Sequence, residues 1–354
     1  MIATLSAQQL VVPRLLAMLS IQYPIRGDEA LLRLAQARLG EAGIGGELYP
    51  HSPDHLRSLL AFRPPGLACT AHLPRDLDLL QAHDRERFLA FARAAAGQVY
   101  GLVVHDQLTF VQGTEVVAAA FRRIDSVLTE VPDRPYLFVE YASGLAPEFY
   151  ASLFETTAGL DSVSAALDIS HVAIQLCRTA YARRYPGQDV CQLTPDSAAL
   201  PERIEDVQQC VVEALPGVLA LIGRLGALAK PLHFHLHDGH PLSNSSAFGV
   251  ADHLSFLEQI TLPFSYRGRR TLAGVFGLRG LRLVVAAALR GLAADKLSFM
   301  LEVHPREGRR PLGKYSALFS HWHDQLFAER MNYWLDSLLE NASLLRDSCE
   351  EQAR

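Results

Sequence analysis

Short β-rich runs alternate with Ala/Leu-rich helical stretches along the whole chain, and no other feature limits the fold as much. Eight such runs can be read: Leu19–Tyr23, Gly46–Tyr49, Ala68–His72, Val99–His105, Tyr136–Tyr141, Val163–Ile169, Leu232–His237 and Leu297–Val303. Stretches of helical periodicity such as Glu29–Leu39, Asp84–Ala95 and Glu115–Leu128 separate them. That alternation builds βαβ units and a parallel sheet. Eight units predict an α/β fold closed into a (β/α)8 TIM barrel. At 354 residues the chain is expected to be a single domain over 1–354, with its barrel core at about 19–340. The long connection 172–230, with about two helices and a Pro/Asp/Ser-rich stretch, reads as a helical insertion or lid between strands six and seven. Asp238–Arg270 opens with Gly, Pro, Ser and Asn, the composition of a loop above the barrel mouth. The aromatic-rich tail from Pro311, with Phe327, Met331 and Trp334 near helical spacing, reads as the last barrel helix.

A hydrophobic share of 49% with 20% charged residues excludes disordered and collagen-like classes. The formal charge of −5 argues against a nucleic-acid partner and gives no basic field toward an anionic membrane. Five scattered cysteines without a C-x-x-C pair favour free thiols in a reducing, cytoplasmic setting. The apolar stretch Leu10–Leu19 is broken by Pro13 and Arg14, a poor signal peptide, and Leu281–Leu292 is too short and too charged to span a bilayer.

Chemistry collects at the ends of the runs, where a barrel builds its active site. Those ends carry His51, His72, His105 with Asp106, Glu140, Asp168 with His171, His233, His235 and His237 with Asp238, and Glu302 with His304. Any one of these histidines alone reads as a hydrogen-bonded structural residue. Together they form an almost pure imidazole and carboxylate set, which suits Zn²⁺, Mn²⁺ or Fe²⁺ better than Ca²⁺ or Mg²⁺. His233, His235 and His237 alternate with Phe234 and Leu236, so all three imidazoles share one strand face. Arg267, Arg269 and Arg270, with Arg306, Arg309 and Arg310, could hold a phosphate or carboxylate, although a solvated loop cluster fits them better. His321 and His323 read as surface residues of the terminal helix.

The segments Leu137–Gly144, Ala166–His171, His233–Asp238, Asp252–Phe256 and Met300–Glu302 resemble, in order and spacing, the xylose isomerase-like TIM barrels. The sugar phosphate isomerases/epimerases of that superfamily hold one metal with two Glu, an Asp and a His. The resemblance places these on Glu140, Asp168, His235 and Glu302, and makes Glu140 and Glu302 the proton-transferring pair. The epimerases carry an arginine where this chain has Pro241. Endonuclease IV looks similar in another way, adding histidines that fall on His72, His105 and His253 to form a three-metal cluster; its Asp falls on Ala251, with Asp252 displaced by one.

The expected function is therefore a divalent-metal isomerase or epimerase of a small polyhydroxylated or phosphorylated substrate, with Glu140, Glu302 and His171 catalytic. The expected metal set is Glu140, Asp168, His235, Glu302, His72, His105, His171, His253 and Asp252, holding one to three ions. A multinuclear metallohydrolase of phosphoesters is the first alternative and an iron-dependent oxidative enzyme the second; a barrel that only binds a ligand is the non-enzymatic one. The composition leaves room for a homo-oligomer.

Overall fold

In the computed structural model, residues 13–19, 29–243, 253–303 and 327–353 are described. Eight parallel strands close into a barrel: β1 (Arg14–Leu19), β2 (Gly45–Leu48), β3 (Cys69–His72), β4 (Gly101–His105), β5 (Tyr136–Glu140), β6 (Val163–Asp168), β7 (Leu232–Leu236) and, last in the chain, β10 (Leu297–Leu301). β1 pairs with β2 and with β10, which closes the ring. The TIM barrel expected from the sequence is the observed architecture. Strand limits agree within two residues for seven of the eight runs.

The exception is β1, expected at Leu19–Tyr23 and found at Arg14–Leu19, so the barrel begins before residue 19; positions 20–23 lie outside the described residues. Arg14 reads in sequence as a break in an apolar run, yet it begins the strand. Its guanidinium lies 4.0 Å from the centre of the Tyr100 ring at the barrel floor, where a cation–π contact takes the place of apolar packing.

Outside the barrel run α1 (Glu29–Glu41), α2 (Pro53–Leu60), α3 (Ala82–Ala95), α4 (Thr114–Leu128), α5 (Pro147–Thr156), α6 (Ile169–Arg184), α7 (Leu200–Gly226), α8 (Gly277–Gly291) and α9 (Phe327–Ala353). Residues 172–230 are mostly α6 and α7, packed side by side; α7 also rests on α5 and α8. α7 is, among the described residues, the one helix long and apolar enough to cross a membrane. It carries Pro216 in its interior and buries Ile204, Val207, Val211, Val218, Leu221 and Leu225. Of the aromatic tail, Phe327, Met331 and Trp334 fall in α9; 311–326, with His321 and His323, lie outside the described residues. Trp334 is buried and donates its indole N–H to the Val303 carbonyl at 3.0 Å, tying α9 to the end of β10.

The stretch read as a mouth loop also contains a hairpin, β8 (Gln259–Tyr266) and β9 (Arg269–Ala273). Arg267 and Gly268 both have positive φ, 50° and 76°, as a two-residue turn of the I′ type requires. Exposed and buried side chains alternate at the start of β8, but Pro263 and the arginines mask that period in the sequence. Asp238 anchors the hairpin's exit by accepting the N–H groups of Phe276 and Gly277 at 3.0 and 2.7 Å.

Strand register decides which side chains enter the barrel. His105 lies opposite Glu140, Asp168 opposite His235 and Met300 opposite His235, so one parity lines the lumen from β4 round to β10. Gly45 at the start of β2 allows β3 to approach closely: a Cβ there would lie 1.9 Å from the Ala68 carbonyl oxygen. Backbone cannot yield as a side chain does, so Gly45→Ala is expected to destabilise the fold by about 1–3 kcal/mol. Urea unfolding at constant m-value checks this, and an unchanged midpoint contradicts the register.

Candidate metal centre

At the mouth three donor groups adjoin, built from inward-facing residues at the strand ends together with His171 of α6 and His253 of the loop that follows β7. His72, His105 and Glu140 form the first; Glu140, Asp168, His235 and Glu302 the second; His171, His237 and His253 the third. Within each group the ligand atoms lie within 4.8 Å of one another.

The carboxylates join the groups. Glu140 Oε2 lies 2.7 Å from His72 Nε2 and 3.1 Å from His105 Nε2, while its Oε1 lies 3.3 Å from His235 Nδ1. Glu302 turns Oε2 toward His235 Nδ1 at 3.0 Å and Oε1 toward His253 Nε2 at 3.3 Å. Asp168 Oδ2 is 2.9 Å from His237 Nε2 and 3.3 Å from His171 Nε2. Asp168 also caps α6: its Oδ1 accepts the His171 backbone N–H at 2.9 Å. One side chain thus starts a helix, fixes His171 three residues on, and aims its other oxygen into the site.

Local structure sets the histidine tautomers. Nδ1 of His72 lies 3.1 Å from the Leu73 carbonyl, Nδ1 of His171 3.2 Å from that of Tyr141, and Nδ1 of His237 3.0 Å from that of Asp238. A carbonyl only accepts, so each Nδ1 carries a proton and each Nε2 points at a carboxylate. Each ring is then either an imidazolium donating at both ends or a neutral ring offering a lone pair to a cation. His253 is held differently. Leu254 and Asp238 exchange two backbone hydrogen bonds at 2.7 and 2.9 Å, and His253 itself takes φ +53°, a left-handed conformation uncommon outside glycine.

Electrostatics matches a set of acids and bases held apart from water. Burial alone would raise the Glu140 carboxyl, yet His105 and His235 beside it hold it well below the usual range. Glu302 is lowered in the same way, against burial, by His253 and His235. Burial opposes charge on His237, but Asp168 raises it to about 9; burial dominates at His105 and lowers it to about 4. The second group has an imperfection. Both ring nitrogens of His235 and Oε2 of Glu302 are buried without a hydrogen bond, although oppositely charged partners sit close by. His235 Nδ1 and Glu302 Oε2, buried and facing one another at 3.0 Å without hydrogen-bond geometry, are what a cation between them would satisfy.

Most residues expected from the sequence meet here: Glu140, Asp168, His235, Glu302, His72, His105, His171 and His253. Asp252 and His304 lie outside the described residues. His51 does not join them; it is exposed and packs against the His55 ring. Asp106 and Asp238 serve the backbone instead, Asp106 accepting the N–H of Ala142 and Ser143. Arg267 pairs with Glu205 of α7 at 2.6 Å, and Arg269 and Arg270 are exposed; Arg306, Arg309 and Arg310 lie outside the described residues. Two residues join the site beyond those the sequence marks as ligands: His237, which the period-two spacing places on the inward face, and Glu47, one layer below the strand ends.

No protein-family profile matches the chain, and no curated protein matches it. Among solved structures, one described as "The crystal structure of AsfvAP:AG" is similar at 13% identity and a TM-score of 0.48, covering 95% of this chain and 99% of that one. The carboxyl transferase domain from Rhizobium etli pyruvate carboxylase, with oxamate and biotin, is similar at 10% identity and a TM-score of 0.40, covering 96% of this chain and 48% of that one. The fold class rests on the barrel's own strand pairing.

Because His237 holds a proton up to about pH 9, a cation taken by the third group must displace it. Zn²⁺ affinity of that group is expected to rise as pH increases toward 9, by up to about tenfold per unit for one released proton, and then to level off. Calorimetry in buffers of different ionisation enthalpy checks the proton release; uptake that does not change with pH contradicts the assignment.

Proposed function

We propose that the chain is a multinuclear metallohydrolase acting on a small phosphoester, with two or three divalent ions in the donor groups at the mouth. One observation carries this reading: Glu140 and Glu302 each turn their two oxygens to different imidazoles, the posture of carboxylates that bridge neighbouring cations. The resemblance to xylose isomerase-like barrels of the endonuclease IV kind supports it. In that comparison His237 stands in for the missing aspartate at Ala251, because β7 carries it into the third group beside His171 and His253.

Zn²⁺ or Mn²⁺ suits the mixed nitrogen and oxygen donors. When bound, the ions supply an activated water and neutralise charge on the phosphoryl oxygens. The chain's own residues divide the rest of the work. Glu140, Asp168 and Glu302 fix the spacing of the groups, and the imidazoles of His72, His171 and His237 are locked by backbone carbonyls. His105 and His253 stand nearer the opening, with side chains 13% and 15% exposed, so the first and third groups are the ones a substrate reaches first. The five cysteines are free thiols, which supports a reducing, cytoplasmic setting.

A second reading, a mononuclear sugar or sugar-phosphate isomerase or epimerase, is supported by the complete group Glu140, Asp168, His235 and Glu302. There Glu140 and Glu302 would move the proton at a substrate carbon. The two readings separate cleanly. Protein loaded with Zn²⁺ or Mn²⁺ is expected to release nitrophenol from bis(p-nitrophenyl) phosphate, and Asp168→Asn to lower that rate by about 100-fold or more. Deuterium entering a sugar carbon from solvent, without any ester cleavage, would replace the hydrolase reading with the isomerase one.

A further inference from the structure

Glu47 in β2 is wholly buried yet contributes nothing to the groups that face the mouth. Its carboxylate lies one layer lower. Thr70 Oγ1 donates to its Oε2 at 2.7 Å, and His233 Nε2 lies 3.0 Å from the same oxygen. The far side of the His233 ring is 2.7 Å from Ser298 Oγ. Oε1 accepts from the Tyr49 hydroxyl at 3.4 Å and faces His235 Nε2 at 3.3 Å.

Glu47, His233 and His235 are close enough to hold an ion of their own. Thr70, His233 and Tyr49 already serve the carboxylate, however, and Ser298 serves the His233 ring. The unmatched atom is above them. His235 turns Nδ1 toward Glu140 and Glu302 and Nε2 toward Glu47. An imidazole that ligates through Nδ1 carries its proton on Nε2, and a carboxylate behind that proton holds the ring in place and raises its basicity. Tyr49, two residues along the same strand face, stacks on the His72 ring at 5.0 Å and 8°. β2 therefore reaches two of the imidazoles while contributing no ligand itself.

We infer that Glu47 is a positioning residue that fixes the tautomer and plane of His235, and so sets the cation affinity of the Glu140, Asp168, His235 and Glu302 group. This rests on the proposal that the group holds a divalent ion.

The test uses the full chain, stripped by chelator and titrated with Co²⁺, whose visible absorption reports ligand geometry. Wild type is expected to bind Co²⁺. Glu47→Gln keeps the side-chain shape but removes the charge, and is expected to bind about 10- to 100-fold more weakly with a shifted absorption band. Glu47→Asp retains the charge at a shorter reach and is expected to fall between the two. Tyr49→Phe, which keeps the stacked ring, is expected to stay within about threefold of wild type. Wild-type affinity and spectrum in Glu47→Gln overturn the inference and leave the metal centre standing. If Glu47→Gln does not fold, unchanged binding by Glu47→Asp overturns it equally. Absence of Co²⁺ uptake by wild type overturns the metal centre itself.

Discussion

Four carboxylates buried within one barrel lumen, Glu47, Glu140, Asp168 and Glu302, are the condition to which the rest of the structure answers. Removing an ionised carboxylate from water costs several kcal/mol unless opposite charge or hydrogen bonds replace the solvent. Six imidazoles supply the replacement in the upper layer, and His233, Thr70 and Tyr49 join His235 around Glu47. The balance can be met in two ways. Without cations, rings such as His235 and His237 take up protons, as their raised affinity for protons requires. With cations, the same rings are neutral ligands and the positive charge moves to the ions. A cluster that exchanges protons for metal in this manner ties its stability to pH and to metal supply.

Placement follows from two simple rules of local structure. Strand parity turns residues of β3 to β7 and β10 inward at the same level, so donors distant in sequence become neighbours. Helix capping then supplies precision, as where Asp168 ends β6, begins α6 and orients His171. His253 needs a third device, the backbone bridge between Asp238 and Leu254, because no barrel strand carries it.

Much of this is legible in the sequence. The alternation of runs predicts the barrel, the run ends mark a mouth rich in imidazoles and carboxylates, and the resemblance to xylose isomerase-like barrels puts Glu140, Asp168, His235 and Glu302 in one group. What the sequence does not show at Arg14, Glu47 and His237 has one cause, a partner remote along the chain. Arg14 reads as a strand breaker until Tyr100 is seen beneath it. Glu47, in a Gly-Gly-Glu-Leu run, carries no motif that marks it; the barrel closing around it is what buries it. Period-two spacing places His237 on the inward face, but only the closed lumen brings His171 and His253 within ligand distance of it. His51 differs in being local: it sits just past a strand end, where the chain turns outward into α2.

Anomalous diffraction at the metal edge, from crystals grown with Zn²⁺, addresses the central claim most directly. The predicted result is at least two peaks at the mouth, one among Glu140, Asp168, His235 and Glu302 and another sharing Glu140 with His72 and His105. Crystals that bind no ion there, with carboxylates and imidazoles paired only to each other, would contradict it.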